Sequence, residues 1–209
     1  MEFIATLFRA LANRTRIRIL RLLVVLGETT VSDIAAATSV RLSRTSAHLR
    51  ALVAVGLLWR RRSGRVVDYG LAERASHPVT ATVLQSLTRI FGTVTATDPD
   101  LVAAADQAGS ATCSDAALFA CFTAFTHPRR LQIIRHLAVK GTATSGELSC
   151  ALSMSPSAVQ RHVEKLQRRG FVRAKVAGRQ TTYALTRGRG SAQQGLLEAV
   201  RKHLCGEQT

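Results

Sequence analysis

The chain has 209 residues and a formal net charge of +16, from 29 Lys and Arg against 13 Asp and Glu. Such an excess in a small protein indicates a polyanionic partner, either nucleic acid or an acidic membrane surface, although a generally basic and adhesive protein has the same composition. No run of about 18 apolar residues occurs, which excludes a membrane-spanning helix. The segment MEFIATLFRA lacks a signal-peptide layout and the four cysteines show no CxxC spacing, so we expect a cytoplasmic protein without a disulfide scaffold.

One long pattern occurs twice in the sequence. Residues 8–72 correspond to residues 122–186 without a gap, so that Gly27, for example, corresponds to Gly141, 114 residues later. Two copies of one pattern predict two copies of one fold, and hence an intramolecular pseudo-dimer. The predicted division is two domains and a linker, at residues 1–92, 115–209 and 93–114 respectively.

Each copy begins with helical patterns and ends with a hairpin pattern. Apolar residues first recur at three- and four-residue steps, as at Ile19 and Leu23, which predicts a helix that ends near Gly27. Two shorter helices follow, and in the second copy Ser155 and Pro156 provide a cap and a first turn. Strand-forming residues then flank a Gly-Arg turn, which predicts a two-stranded hairpin. The other predicted helices are residues 31–37, 43–54, 77–92, 99–107, 145–152, 157–168 and 195–204.

A helix-turn-helix followed by a basic hairpin is typical of the winged helix-turn-helix fold. The predicted fold class is therefore mainly α, of α+β type, with two tandem winged helix-turn-helix domains. In this fold the second helix of the turn fits the major groove of DNA, and the hairpin, or wing, reaches phosphates or the neighbouring minor groove. The sequence thus predicts double-stranded DNA as the partner, with no membrane involved.

The second helix of each turn resembles the recognition helix of ArsR-type winged-helix repressors. It reads SRTSAHL at residues 43–49 and SAVQRHV at residues 157–163. The preceding segments LANRTRIRILRLL and FTHPRRLQIIRHL resemble the first helix of the same family. The resemblance extends over both copies and implies a DNA-binding transcriptional regulator. It favours a repressor, while the sequence leaves activation open.

The outward positions of the two recognition helices are the candidates for base contacts. The predicted core positions are Thr45, Leu49 and Leu52 in the first copy and Val159, Val163 and Leu166 in the second. A charged helix face is often only solvated, but its place before a basic wing favours contact with DNA. Arg is suited to guanine, Gln to adenine and Glu to cytosine. The predicted base contacts are Ser43, Arg44, Ser46, Ala47 and Arg50 in the first copy and Ser157, Gln160, Arg161 and Glu164 in the second.

Basic residues of the two wings are candidates for phosphate contacts, which set affinity and salt dependence more than sequence preference. They are Arg60, Arg61, Arg62 and Arg65 in the first wing and Arg173, Lys175 and Arg179 in the second. His48 and His162 have no second ligand at metal spacing. We therefore expect them to be half-buried supports of the recognition helices, and we expect no metal there.

The two predicted reading faces carry different residues. A homodimer presents identical helices to a palindrome, whereas this chain presents two unlike helices. We therefore expect an imperfect inverted repeat whose half-sites lie about one helical turn, roughly 34–36 Å, apart. The fused chain acts either as a monomeric pseudo-dimer or as a further homodimer, and the sequence leaves both open.

The resemblance also implies a sensor, because ArsR-type repressors commonly respond to a metal, metalloid or oxidant. The family's paired-thiolate motif stands here as ELSCAL at residues 147–152, with one cysteine missing, so that site is not expected. In ArsR-like dimers the first and last helices form the interface, which implies that Cys113, Cys121 and Cys205 approach one another. They would then bind a thiophilic metalloid or form a redox disulfide. The alternative is that they serve as small apolar residues.

Two other classes of function remain open from the sequence. One is an architectural protein that binds DNA without sequence preference, and the other is a winged-helix module that binds proteins. An enzyme is not expected, because no nucleophile–base pair, phosphate loop or carboxylate dyad is present in the sequence.

Overall fold

The computed structural model describes residues 1–92, 114–177, 180–186 and 191–206. The chain divides into two compact units, one of which contains the second copy of the repeated pattern and the other the first copy from residue 10 onwards. The first unit is Ala10–Phe119, and the second unit is Met1–Arg9 together with Ala120–Thr209. The predicted helix at residues 99–107 and nearly all of the predicted linker lie outside the described residues.

The first half of the chain contains one complete set of winged-helix elements. In chain order these are α1 (Glu2–Leu11), α2 (Arg14–Leu26), β1 (Thr29–Thr30), α3 (Val31–Thr38), α4 (Leu42–Ala54), β2 (Leu58–Ser63), β3 (Val66–Leu71) and α5 (Pro78–Gly92). The strands form an antiparallel sheet of order β1-β3-β2. Helices α3 and α4 are the helix-turn-helix, and strands β2 and β3 are the wing.

The second half of the chain repeats this set in the same order. Its elements are α6 (Asp115–Ala124), α7 (Pro128–Lys140), β4 (Thr142–Thr144), α8 (Ser145–Leu152), α9 (Pro156–Arg168), β5 (Val172–Ala177), β6 (Gln180–Leu185) and α10 (Ser191–Cys205). The sheet order is β4-β6-β5, which matches the first half strand for strand. The prediction of two tandem winged helix-turn-helix domains is thus confirmed, with the short strands β1 and β4 as additions that it did not include.

The helix ends follow from local chemistry that the two copies share. Gly27 and Gly141 end α2 and α7 with positive φ angles of 76° and 80°, a region in which a Cβ is unfavourable. Helix α9 begins as predicted, because the Ser155 side chain accepts a hydrogen bond from the Ala158 N–H and Pro156 occupies the first turn. Helix α10 begins at Ser191, four residues before the predicted start at 195.

The core of the second unit is built around aromatic rings from distant parts of the chain. Phe8, on α1, packs against Phe122 and Phe125 with ring centroids 6.0 and 4.8 Å away, and Phe125 packs against Phe171 at 4.7 Å. All four rings are fully buried. The first nine residues therefore belong to the unit of the second copy, whereas the sequence boundaries assigned residues 1–92 to one domain.

Within the part of the chain that the structure describes, no helix is both long and apolar enough to cross a membrane.

Candidate nucleic-acid interface

Helix α4 presents one face to the core of the first unit and the opposite face to solvent. Thr45, Leu49 and Leu52 are fully buried, at the positions predicted for the core. The predicted base-contact residues lie on the other face: Ser43, Arg44, Ala47 and Arg50 are exposed and Ser46 is half-buried. The helix therefore offers two arginines and three small residues to a partner.

Helix α9 has the same burial pattern with different exposed chemistry. Val159, Val163 and Leu166 are fully buried, as predicted for the core. The predicted base-contact residues Ser157, Gln160, Arg161 and Glu164 are all exposed. This face therefore offers one arginine and one carboxylate, where α4 offers two arginines.

The Gln160 side chain is held at both ends of its amide. Its Oε1 accepts a hydrogen bond from the Tyr183 hydroxyl at 3.1 Å, and its Nε2 donates to Glu164 Oε1 at 2.9 Å. Tyr183 lies on strand β6, so this chain of hydrogen bonds joins the wing to the recognition helix. For Gln160 to contact an adenine, it must give up these two hydrogen bonds. Glu164 is exposed, and the hydrogen bond from Gln160 orients its carboxylate.

His48 and His162 are half-buried supports of the recognition helices, as predicted. His48 Nδ1 accepts a hydrogen bond from Arg16 Nε at 3.5 Å, which links α4 to α2. The His162 ring lies 4.7 Å from the ring of His127, the N-cap residue of α7. Burial, together with the positive charges of His127 and nearby arginines, lowers the pKa of His162 to about 4. Both contacts tie a recognition helix to the helix that precedes the helix-turn-helix, α2 in the first copy and α7 in the second.

The strand register shows which wing residues share a face with the recognition helix. In the second unit, Ala174 pairs directly with Tyr183, and residues that pair directly lie on the same face of a sheet. Because Tyr183 donates to Gln160 on α9, this is the helix-facing side of the wing. Side chains alternate along a strand, so Val172 and Val176 share that side, and Arg173 and Lys175 lie on the opposite side.

The wing of the first unit has cations on the helix-facing side. Arg60 pairs directly with the buried Tyr69, which corresponds to Tyr183, and Arg62 lies two residues further along the same side. Both arginines are exposed, and Arg62 Nε donates to the Gly64 carbonyl at the tip of the wing, at 3.0 Å. These two arginines are therefore the wing residues best placed beside the exposed face of α4.

Arg61 lies on the opposite side of the same wing. Its guanidinium forms a 2.7 Å ion pair with Glu28 and stacks over the Trp59 ring at 5.2 Å. Trp59 in turn lies flat across Gly70, where an added Cβ would come within 2.5 Å of the ring. The predicted wing cations thus divide into two sets, and only Arg60 and Arg62 share the side of the recognition helix. The predicted wing residue Arg65 is exposed at the turn, and Arg179 lies outside the described residues.

The comparisons with known proteins agree with this geometry. Residues 13–58 match a family model described as bacterial regulatory protein, arsR family, and residues 125–174 match one described as helix-turn-helix domain. The chain carries two tandem helix-turn-helix domains, the first of the arsR family. The predicted resemblance is thereby confirmed. The tandem protein is a DNA-binding transcriptional regulator and not an enzyme.

Two solved structures are similar to part of the chain. HlyU from Vibrio cholerae N16961 and its reduced form are each 28% identical to this chain, with TM-scores of 0.38 and 0.37. Each match covers 43% of this chain, and the matches cover 94% and 90% of the HlyU chains respectively. No curated protein matches the chain.

The cysteines of this tandem regulator are spread over several elements. Cys121 is buried on α6, Cys150 is exposed on α8, and Cys205 is partly exposed at the end of α10. Cys113 lies outside the described residues. Among the side chains that the structure describes, no three His, Cys, Asp or Glu residues are grouped as a metal site would require. The thiol sensor therefore stays a prediction.

Two exposed positions at the starts of the recognition helices were not among the predicted contacts. Arg41 is the N-cap residue of α4 and Leu42 is its first residue, and both are exposed, Leu42 to 51%. The corresponding residues of α9, the N-cap Ser155 and the first residue Pro156, are also exposed. The signal was present in the sequence, because Leu42 directly precedes the predicted contact Ser43 and lies outside the predicted core positions of α4.

Proposed function

We propose that this regulator is a repressor that acts as an intramolecular pseudo-dimer on an imperfect inverted repeat. In this proposal α4 occupies the major groove of one half-site and α9 that of the other. The observation that supports it is the pair of recognition helices, which occupy the same place in equivalent folds but expose different residues. Such a protein acts on DNA in the cytoplasm.

The exposed residues suggest different bases for the two half-sites. Arg44 and Arg50 on α4 can each form a bidentate contact with guanine, and Arg161 on α9 can do the same. Glu164, fixed by its hydrogen bond from Gln160, accepts from the N4 amino group of cytosine. We therefore expect more guanine contacts in the half-site bound by α4. In the half-site bound by α9 we expect a cytosine contacted by Glu164, with no equivalent in the other half-site.

Selection of bound sequences from a random double-stranded library, followed by footprinting, tests the proposal. We expect one site with two unlike half-sites and a preference of about 10³ or more over random DNA at physiological salt. Arg44→Ala should relax base preference in one half-site only, and Glu164→Ala in the other. Arg89→Ala, which removes an exposed arginine from α5, serves as the control and should change neither. Two identical half-sites, or a single one, would contradict the proposal.

An architectural role without sequence preference is the second candidate, and the net charge of +16 favours it. Competition with random DNA separates the two candidates. Random DNA should displace an architectural protein from the selected site as easily as from any other sequence, whereas a sequence-specific regulator should stay bound to the selected site. Repression itself requires transcription from a promoter that contains the selected site. We expect the transcript to fall as the protein is added, and a rise would identify an activator.

The thiol sensor is tested on the same DNA complex. Release of the selected site by arsenite, peroxide or polysulfide, lost when Cys121 or Cys205 is replaced by Ser, would support it. A wild-type complex that none of these reagents releases ends the idea. Sedimentation of the DNA-free protein distinguishes a monomeric pseudo-dimer from a further homodimer.

A further inference from the structure

We infer that the two wings contribute unequally to DNA affinity, and that the wing and helix start of the first unit make more phosphate contacts than those of the second unit. The inference rests on the proposed function, since it assumes that both units bind one DNA site and that they make different numbers of phosphate contacts there. It concerns affinity, whereas the proposed asymmetry of the half-sites concerns base preference. The two can therefore fail separately.

The wings provide the first observation. On the helix-facing side of the first wing stand Arg60 and Arg62, both exposed. At the corresponding positions of the second wing stand Ala174 and Val176, the latter 70% exposed. The side of the second wing that lies beside its recognition helix therefore carries no charge at either position, while the first carries two.

The starts of the recognition helices show the same difference. Arg41 and Arg44, at the N-cap and in the first turn of α4, are exposed, and the corresponding residues of α9 are Ser155 and Ala158. Recognition helices contact DNA chiefly through their N-terminal residues, so charge at this end counts most. The N-terminus of α4 also lacks a side-chain cap, whereas Ser155 caps α9, so the first-turn N–H groups of α4 remain open to a phosphate.

The basic residues that α9 does possess lie mostly at its other end. Lys165 and Arg169 lie near Arg130 of α7. Burial is the largest cause of the lowered pKa of Lys165, and the positive charges of Arg169 and Arg130 lower it further. The carbonyl of Arg169 accepts a hydrogen bond from Gln193 of α10 at 2.7 Å. This end of the helix therefore packs against the body of the second unit, about 18 Å from the N-terminal turn at 1.5 Å per residue. Arg161 is the one cation that α9 adds near its start.

The unequal charge has a measurable consequence. Each phosphate that a protein neutralises releases counterions and contributes about 0.9 to the slope of log K against log salt concentration. Loss of two helix-facing arginines from the first wing should therefore lower the slope by about 1.8. Loss of two cations from the second wing, where both lie on the far side, should leave it nearly unchanged.

The matched variants are the double substitutions Arg60→Ala with Arg62→Ala and Arg173→Ala with Lys175→Ala. Each removes two exposed positive charges from one wing of the full-length protein. Binding to the selected site is measured between 50 and 200 mM salt by fluorescence anisotropy. We expect the first pair to lower the slope by about 1.8 and the affinity at least tenfold, and the second pair to lower the slope by less than about 0.5.

A gain of charge makes the test independent of loss of folding. Ala174→Arg with Val176→Arg gives the second wing the charges of the first, and should raise the slope by about 1.8. Equal effects of the two loss variants, or no gain from the added arginines, would overturn the inference. If the wild-type protein itself shows no preferred site, the proposed function fails. If it shows one and the slopes do not differ, only the inference fails.

Leu42 carries a second and independent inference, which also rests on the proposed function. Its side chain is exposed in the first turn of α4, between the exposed Arg41 and Arg44. An apolar side chain between two arginines in the major groove has one base feature to contact, the 5-methyl group of thymine. We propose that Leu42 reads a thymine in the half-site of the first unit.

Replacement of single thymines by deoxyuridine tests this reading, because it removes only the methyl group. We expect one position at which deoxyuridine weakens wild-type binding about fourfold, the effect of one buried methyl group. Leu42→Ala should bind the thymine and deoxyuridine sites equally, while Arg89→Ala should still distinguish them. A wild-type protein that is indifferent to deoxyuridine throughout that half-site would overturn the assignment.

Discussion

Phe8 offers the sharpest test of how the chain divides into its two units. It lies on α1, near the start of the first copy, yet its fully buried ring packs against Phe122 and Phe125 of the second copy. Leu11, three residues later on the same helix, is equally buried but belongs to the first unit. Substitutions at these two positions should therefore destabilise different units.

The expected magnitude follows from burial. Replacement of a buried phenylalanine by alanine costs about 3–5 kcal/mol, and that of a buried leucine about 2–5 kcal/mol. For a unit of this size, each kcal/mol lowers the unfolding midpoint by about 4–8 °C. We therefore expect Phe8→Ala to lower the midpoint of the second unit by at least about 12 °C.

Trp59 makes the two units distinguishable, because it is the single tryptophan of the chain and lies in the first unit. Its fluorescence should report little change for Phe8→Ala and a clear fall in midpoint for Leu11→Ala. Hydrogen exchange gives the complementary view, with faster exchange in α9 for the first variant and in α4 for the second. A Phe8→Ala protein in which α4 loses protection while α9 keeps it would refute the assignment of residues 1–9 to the second unit.

Three further predictions concern stability. The pKa of His162 is about 4 in the folded protein, from an ordinary 6.5; the stability of the second unit should therefore be full above pH 6.5 and fall as the pH drops towards 4, and His162→Gln should flatten this fall in thermal melts. Gly70→Ala places a Cβ within 2.5 Å of the Trp59 ring, so we expect a shifted Trp59 emission and a loss of about 1–3 kcal/mol in urea unfolding, with unchanged emission as the contrary result. Thr144→Ala removes the cap of α8, in which Glu147 also bonds to the Thr144 N–H at 2.6 Å; we expect a loss of about 1 kcal/mol, and less for Thr144→Ser.

Helices and core positions were predictable because each rests on a pattern that spans many residues. The buried positions repeat at three- and four-residue steps in both α4 and α9, so in each helix they lie on one face. The glycines that end α2 and α7 were predictable for a local reason, since their backbone angles favour a residue without Cβ. Strands β1 and β4 were missed because segments of two and three residues contain too little alternation to recognise.

The unit to which Phe8 belongs was not predictable from the pattern. An apolar residue on an amphipathic helix shows that it is buried, and nothing in its spacing shows which neighbours bury it. The commitment of Gln160 to Tyr183 and Glu164 depends in the same way on a contact across 23 residues. The sides of the wings could have been read, because alternation from a buried tyrosine places every second residue on its face.

Fusion of two copies in one chain explains why their surfaces can differ while their folds agree. In a homodimer, a substitution enters both halves at once, so each change of contact is made twice. In a fused chain, the wing can keep Arg60 and Arg62 in one copy and carry Ala174 and Val176 in the other. The residues that shape the backbone, such as Gly27 and Gly141, have no such freedom, because each copy must still fold. A site recognised by such a chain has a direction, since exchanging its half-sites places each recognition helix on the wrong bases. Reversal of the selected site relative to a promoter is therefore expected to alter regulation, which a palindrome bound by a homodimer cannot do.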